Sequence, residues 1–185
     1  MTREPTPAPE PDVGLVDAAR RGDPAAQDRL VSLHHEVAWR VAVGVLKDED
    51  AAADAVQNAF LKAFRNLDGF RGESRFRTWL LSIVVNEARG ALRRRTRRRE
   101  SGLDDVGPVA DEARPVDHDV VMRDEARRAR ALVEELPEKQ RLAVTLRIDE
   151  GLSFREIGEL IGSSEGAARV NYHHGIRRLR EKMTG

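Results

Sequence analysis

Seven arginines lie between positions 89 and 99, at 89, 93, 94, 95, 97, 98 and 99, with no acid among them. Guanidinium groups at that density can neutralise several phosphates, giving salt-dependent binding with little sequence preference. Trp79 lies just upstream, and Phe70 and Phe76 sit in or after a glycine-containing segment, Asp68 to Ser74. Aromatic rings beside a basic helix can stack on unpaired bases, at about 1–3 kcal/mol per base. The spacing of Phe76 to Leu80 and Ile83 assigns Phe76 to a core stripe, and leaves Trp79 open between core and base stacking.

A second basic cluster lies near the C-terminus. Ser153-Phe154-Arg155-Glu156 is a capping box that starts a helix, with Ile157, Leu160 and Ile161 on its inner face. Gly162-Ser163-Ser164 makes a turn, and Ala168, Tyr172, Ile176 and Leu179 then form an apolar stripe. A short capped helix, a tight turn and a longer helix with a basic outer face form the helix-turn-helix pattern, whose second helix enters the major groove. Arg169, Asn171, His173, His174 and Arg177 fall on its outside or margins. Arginine can pair with guanine edges and asparagine with adenine, and both can hold phosphates.

Catalytic and metal chemistry find no support. His34-His35 and His173-His174 are adjacent pairs, which diverge by about 100° on a helix. No zinc-protease, phosphate-loop or nucleophile-elbow motif is present, and no cofactor is implied. The 185 residues include no cysteine, so disulfides are excluded, in agreement with a cytoplasmic location. No apolar run approaches a membrane span and the N-terminus lacks a signal pattern, so membrane insertion is not expected.

The elements that must carry these residues are helices. Asp23-Pro24 gives a helix start, followed by Leu30, Leu33, Val37, Val41 and Val45 at helical spacing. A second start at Lys47–Asp50 leads into Val56, Phe60 and Leu67, and a third helix carries Phe76, Leu80, Ile83, Val84, Ala88 and Leu92 into the arginine block. No alternating strand pattern appears. The expected fold is all-α: two small helical domains joined by a flexible acidic linker, the second containing the helix-turn-helix. The boundaries are a disordered tail at 1–11, a first domain at 12–98, the linker at 99–121 and a second domain at 122–183. The formal net charge is zero, yet positions 100–125 carry nine acids against two arginines. The charge is segregated into blocks, and the total conceals the local fields.

With these residues in place, the chain resembles the extracytoplasmic-function (ECF) sigma factors of the sigma-70 family over roughly residues 12–183. Asp54-Ala-Val-Gln57-Asn58-Ala-Phe60-Leu-Lys-Ala-Phe64 is similar to the family's polymerase-binding helix. Phe70-Arg-Gly-Glu-Ser-Arg-Phe76-Arg-Thr-Trp79, continuing to Asn86, resembles the segment that melts and reads the −10 element. Leu136-Pro137-Glu-Lys-Gln-Arg-Leu142 followed by Gly151-Leu-Ser-Phe-Arg-Glu156-Ile157 resembles the start of the −35-reading domain. The resemblance implies an initiation factor, not an enzyme, that binds core RNA polymerase and promoter DNA. Asp54, Gln57, Asn58 and Phe60 would meet the clamp helices of the largest subunit, and the second domain would sit on the flap of the second-largest. Phe70, Ser74 and Asn86 would surround a base flipped from the −10 strand, with Trp79 nearby and Arg93, Arg94, Arg97 and Arg98 on phosphates. Arg169, Asn171, His173, His174 and Arg177 would serve the −35 element. Many relatives are held inactive by an anti-sigma factor. Gly166-Ala-Ala-Arg169-Val-Asn171 departs from the commonest recognition-helix pattern, so the −35 sequence read is expected to differ. The alternative is a helix-turn-helix regulator that binds an operator without replacing a sigma factor.

Overall fold

The computed structural model describes residues 12–100 and 131–184, and these form helices with no strand among them. The first lobe contains α1 (Val13–Arg20), α2 (Pro24–Leu46), α3 (Glu49–Arg65), a 3-10 turn (Leu67–Gly69) and α4 (Phe76–Glu100). The second contains α5 (Glu138–Ile148), α6 (Phe154–Ile161) and α7 (Glu165–Thr184), preceded by a helical turn at 131–134. The expected tail at 1–11, most of the expected linker and the start of the second domain at 122–130 lie outside the described residues. Arg99 and Glu100 belong to α4, so the helix runs two residues past the expected boundary.

Local sequence chemistry explains the helix starts. The Asp23 carboxylate accepts from the amides of Ala25 and Ala26, with Pro24 at the first helical position. Asp48 accepts from Ala51 at the start of α3. At α6 the Ser153 hydroxyl accepts from the Glu156 amide, and the Glu156 carboxylate accepts from the Ser153 amide at 2.8 Å. Burial opposes ionisation of Glu156, but its bonds from Ser153 and Thr78 outweigh that and hold its pKa below the ordinary value.

Most residues of the predicted stripes are buried, with Ile83, Leu92, Tyr172, Ile176 and Leu179 partly so. Leu30, Val37, Val41 and Val45 of α2 pack with Val56, Phe60 and Ala63 of α3 and with Phe76, Leu80, Val84 and Ala88 of α4. Leu33 departs from the expected stripe and is exposed. The sequence also gave no expectation of α1. It lies across α2 through Val16 and Ala19, and its N-terminal Asp12 is buried against His34. His34 Nε2 lies 2.9 Å from Asp12 Oδ2, without the angle of a directed hydrogen bond. Burial is the largest influence on His34 and lowers its pKa despite the neighbouring carboxylate.

The two lobes pack against each other through α2 and α5 and through α4 and α6. Glu150 sits at the seam with its side chain 6% exposed. It accepts from Arg40 of α2 and lies 2.9 Å from Arg77 of α4. Arg141, 4% exposed, donates to the Gly44 carbonyl across the seam at 2.6 Å and to the Glu134 and Leu136 carbonyls of its own lobe. Arg89 donates to Glu138, and Thr78 donates to Glu156 at 3.1 Å. Burial works against the charge of Arg40, but the Glu150 bond and charge overcome it and raise its pKa; at Arg141 burial prevails and lowers it.

Candidate nucleic-acid interface

Helix α4 displays a graded face. Trp79, Asn86 and Arg93 are seven residues apart and Arg97 follows four later. At 100° per residue they fall within about 40° of one line, over about 27 Å of helix. The face passes from an aromatic ring to an exposed amide to exposed guanidinium groups. Arg94 and Arg98 are exposed beside it.

The aromatic end is built by the segment before α4. The Phe70 ring lies 5.1 Å from Trp79 and edge-on to Phe76 at 5.8 Å, and Phe76 also meets Trp79 at 5.9 Å. Phe76 is fully buried and anchors the cluster, as its spacing predicted. Phe70 and Trp79 are half-buried, so each is packed on one side and open on another. Trp79 is therefore neither wholly core nor a free ring. Ser74 is half-buried, its hydroxyl 3.4 Å from the Arg75 carbonyl. Asn86 stands two turns beyond Trp79, about 10 Å along the helix.

The outer edge of α3 carries Asp54, Gln57 and Asn58, all exposed, with the apolar Leu61 beside them at 48% exposure. Phe60, placed in the apolar stripe by its spacing and at the polymerase contact by the resemblance, lies in the stripe. It is 6% exposed and its ring lies 6.1 Å from Phe64, so it supports the helix from beneath.

In the second lobe, Gly162 caps α6 in the left-handed region at φ 65°, and Ser164 begins α7 by accepting from the Ala167 amide. A Cβ at Gly158 would lie 2.9 Å from the Ser163 carbonyl oxygen, so only glycine permits this close approach of helix and turn. Ala168 and Gly175 face inward, and Arg169, His173, His174 and Arg177 face solvent. Arg169 pairs with Glu165 and covers the Phe154 ring at 5.3 Å, while Arg177 lies 3.5 Å from Glu181. His173 lies 6.5 Å from the same Phe154 ring. Asn171 takes a marginal place among these residues. It is half-buried on the inner margin, and its amide donates to the Ala167 carbonyl at 2.8 Å, a local bond that competes with any base contact.

Residues 30–98 match the Sigma-70 region 2 family, and residues 126–179 match Sigma-70, region 4. The RNA polymerase sigma-H factor of Pseudomonas aeruginosa is 34% identical over 86% of this chain and 87% of its own length. The ECF RNA polymerase sigma-E factor of Escherichia coli K12 is 36% identical over 85% of this chain and 86% of its own.

This chain belongs to the ECF sigma factors of the sigma-70 family.

Its fold agrees with two solved structures. RpoE from Bartonella quintana, crystallised with the anti-sigma factor NepR, has a TM-score of 0.70 at 23% identity, covering 85% of this chain and 96% of that one. CnrH, in complex with the cytosolic domain of CnrY, has a TM-score of 0.67 at 22% identity, covering 95% and 98%. At these identities the likeness concerns the fold. The sigma factor binds core RNA polymerase and promoter DNA and directs promoter-specific initiation. An operator-binding regulator is not favoured. The described helices include none long and apolar enough to cross a membrane.

The residues that sequence inspection missed are those held by distant partners. Arg20 donates to the Leu67 and Phe70 carbonyls from α1, and Glu150 gathers two arginines from two other helices. Neither has a periodic or motif signal.

Proposed function

We propose that this sigma factor reads the −10 element with the graded face of α4 and the −35 element with the outer face of α7. The observation that carries this is the order of chemistry along α4. Phe70 and Trp79 offer half-open rings for an unstacked base, Asn86 offers an amide for its edge, and Arg93, Arg94, Arg97 and Arg98 hold the adjoining phosphates. Ser74 adds a hydroxyl at the aromatic end. On α7, Arg169, His173, His174 and Arg177 contact the duplex, with the Glu165 and Glu181 pairs opening to release the arginines. Asn171 joins them only if it gives up its bond to Ala167.

Asp54, Gln57 and Asn58, with Leu61 beside them, form the surface for the polymerase clamp helices, and the second lobe sits on the flap. The functional units run over 12–98 and 122–183, joined by an acidic tether at 99–121 that occupies a basic channel of the polymerase by charge mimicry. The anti-sigma factor present with the Bartonella quintana relative supports a partner of the same kind here, in the cytoplasm.

Run-off transcription with purified core polymerase and a promoter library tests the assignment. Asp54→Arg is expected to weaken core binding by about tenfold or more through charge reversal at the interface centre, measured by competition for core. Asn86→Ala is expected to leave core binding intact and slow promoter opening by about tenfold, the loss of one good base contact. Normal opening and normal −10 selection by Asn86→Ala would remove the amide from the site.

A further inference from the structure

We propose that Arg20, on α1, is a positioning residue that sets promoter selectivity by fixing Phe70. This rests on the assignment of Phe70 and Trp79 to an unpaired −10 base. The guanidinium is held at three points. Its Nη1 donates to Asp17 at 3.2 Å on the same helix, its Nε donates to the Leu67 carbonyl at 3.1 Å, and its Nη2 donates to the Phe70 carbonyl. The guanidinium carbon also lies 5.9 Å from the Phe70 ring centre.

These contacts bind both ends of the short segment that aims the ring. Leu67 is buried and fixed, whereas the Phe70 backbone is extended and leads into an exposed stretch through Glu73. The Phe70 amide donates only to Leu67, so its carbonyl is tied to the lobe by Arg20. Two parallel donors fix direction as well as distance, which a single ammonium cannot do. The other end of α1 reaches the same cluster from behind: Asp12 lies against His34, whose ring is 5.5 Å from Phe76. Helix α1 thus grips the aromatic cluster at both ends, although it lies outside residues 30–98 and carries no residue of the DNA face.

The test uses holoenzyme reconstituted with wild-type, Arg20→Ala, Arg20→Lys or Phe70→Ala chains. The promoter carries 2-aminopurine in the −10 non-template strand, and a second set varies each −10 base. Arg20→Ala is expected to slow opening and flatten base discrimination at one −10 position by about tenfold, the scale of one charge-assisted hydrogen bond. Core affinity and melting temperature stay close to wild type. Arg20→Lys keeps the charge and stem and shows a smaller loss at the same position. Should it discriminate as well as wild type, the two-carbonyl argument fails; this variant also decides the matter if Arg20→Ala folds poorly. Unchanged discrimination in Arg20→Ala, with discrimination lost in Phe70→Ala, overturns the role of Arg20 alone. Unchanged discrimination in Phe70→Ala overturns the aromatic assignment and the role of Arg20 with it.

Discussion

Replacing Glu150 by alanine separates the two lobes. The carboxylate accepts from Arg40 and pairs with Arg77, whose side chains are 33% and 28% exposed; Arg40 also pairs with Glu36, and Arg77 also donates to the Glu150 backbone carbonyl. Removing it takes one charge partner from each of two partly desolvated guanidinium groups and leaves Arg40 with Glu36 and Arg77 with the backbone carbonyl of residue 150. Stranding a buried charge costs about 3–5 kcal/mol, and the partial exposure of both arginines and the partners they keep place this case below that range. The lobes can relieve that cost by moving apart, against the apolar contacts that α5 and α6 make with the first lobe. The absence of cysteine allows single labels at Arg29→Cys and Glu159→Cys, both exposed positions. Energy transfer between them should be high in the parent chain at low salt and fall in Glu150→Ala, with the double variant Arg40→Ala, Arg77→Ala falling equally. Identical transfer in all three would mean that the seam is not held by these charges.

Gly175→Val unfolds the second lobe. Helix α7 crosses α5 so closely that a Cβ at 175 would lie 2.7 Å from Val144 Cγ2, 3.4 Å from the Gln140 carbonyl oxygen and 3.5 Å from Leu136 Cδ1. Alanine gains about 1 kcal/mol in helix propensity and loses about 1–3 kcal/mol to overpacking, so its net effect is small to moderate. Valine adds two methyl groups against a backbone carbonyl that cannot move without breaking α5. A lobe of this size holds only about 3–5 kcal/mol of core stability, and valine consumes it. Thermal melting followed by circular dichroism should lose the transition of the second lobe while that of the first survives. A Gly175→Val chain with an unshifted melt would show that α5 and α7 slide apart freely.

What was legible in the sequence was local. The caps at Asp23, Asp48 and Ser153, the stop at Gly162 and the inward stripes follow from a few adjacent residues, and the structure has them. The aromatic and basic composition of the α4 face was also legible, because its order follows from the helical period. Contacts closed by the fold were not. Helix α1 is eight residues long and gains its place from Asp12 against His34 and Arg20 against the Phe70 segment, partners that periodicity cannot link. Phe60 has the spacing of a buried stripe and lies there, although the resemblance implies a polymerase contact, and the Asn171 amide bonds to the Ala167 carbonyl one turn back, a local choice that spacing does not reveal. The close approaches at Gly158 and Gly175 depend on neighbouring elements that no local pattern brings together.

The charged seam between the lobes has a consequence for how salt acts. Elements centred at −10 and −35 lie about 25 base pairs apart, or about 85 Å of duplex at 3.4 Å per pair. A compact chain of this length has a radius of gyration of only about 16 Å. While the seam is closed, the molecule can grip one element and the other stays beyond its grasp. Ionic strength therefore pulls in two directions: counterions loosen the arginine–carboxylate seam and free the lobes to spread, and the same counterions weaken every phosphate contact the spread lobes then make. Simultaneous engagement of both elements should peak at an intermediate salt concentration.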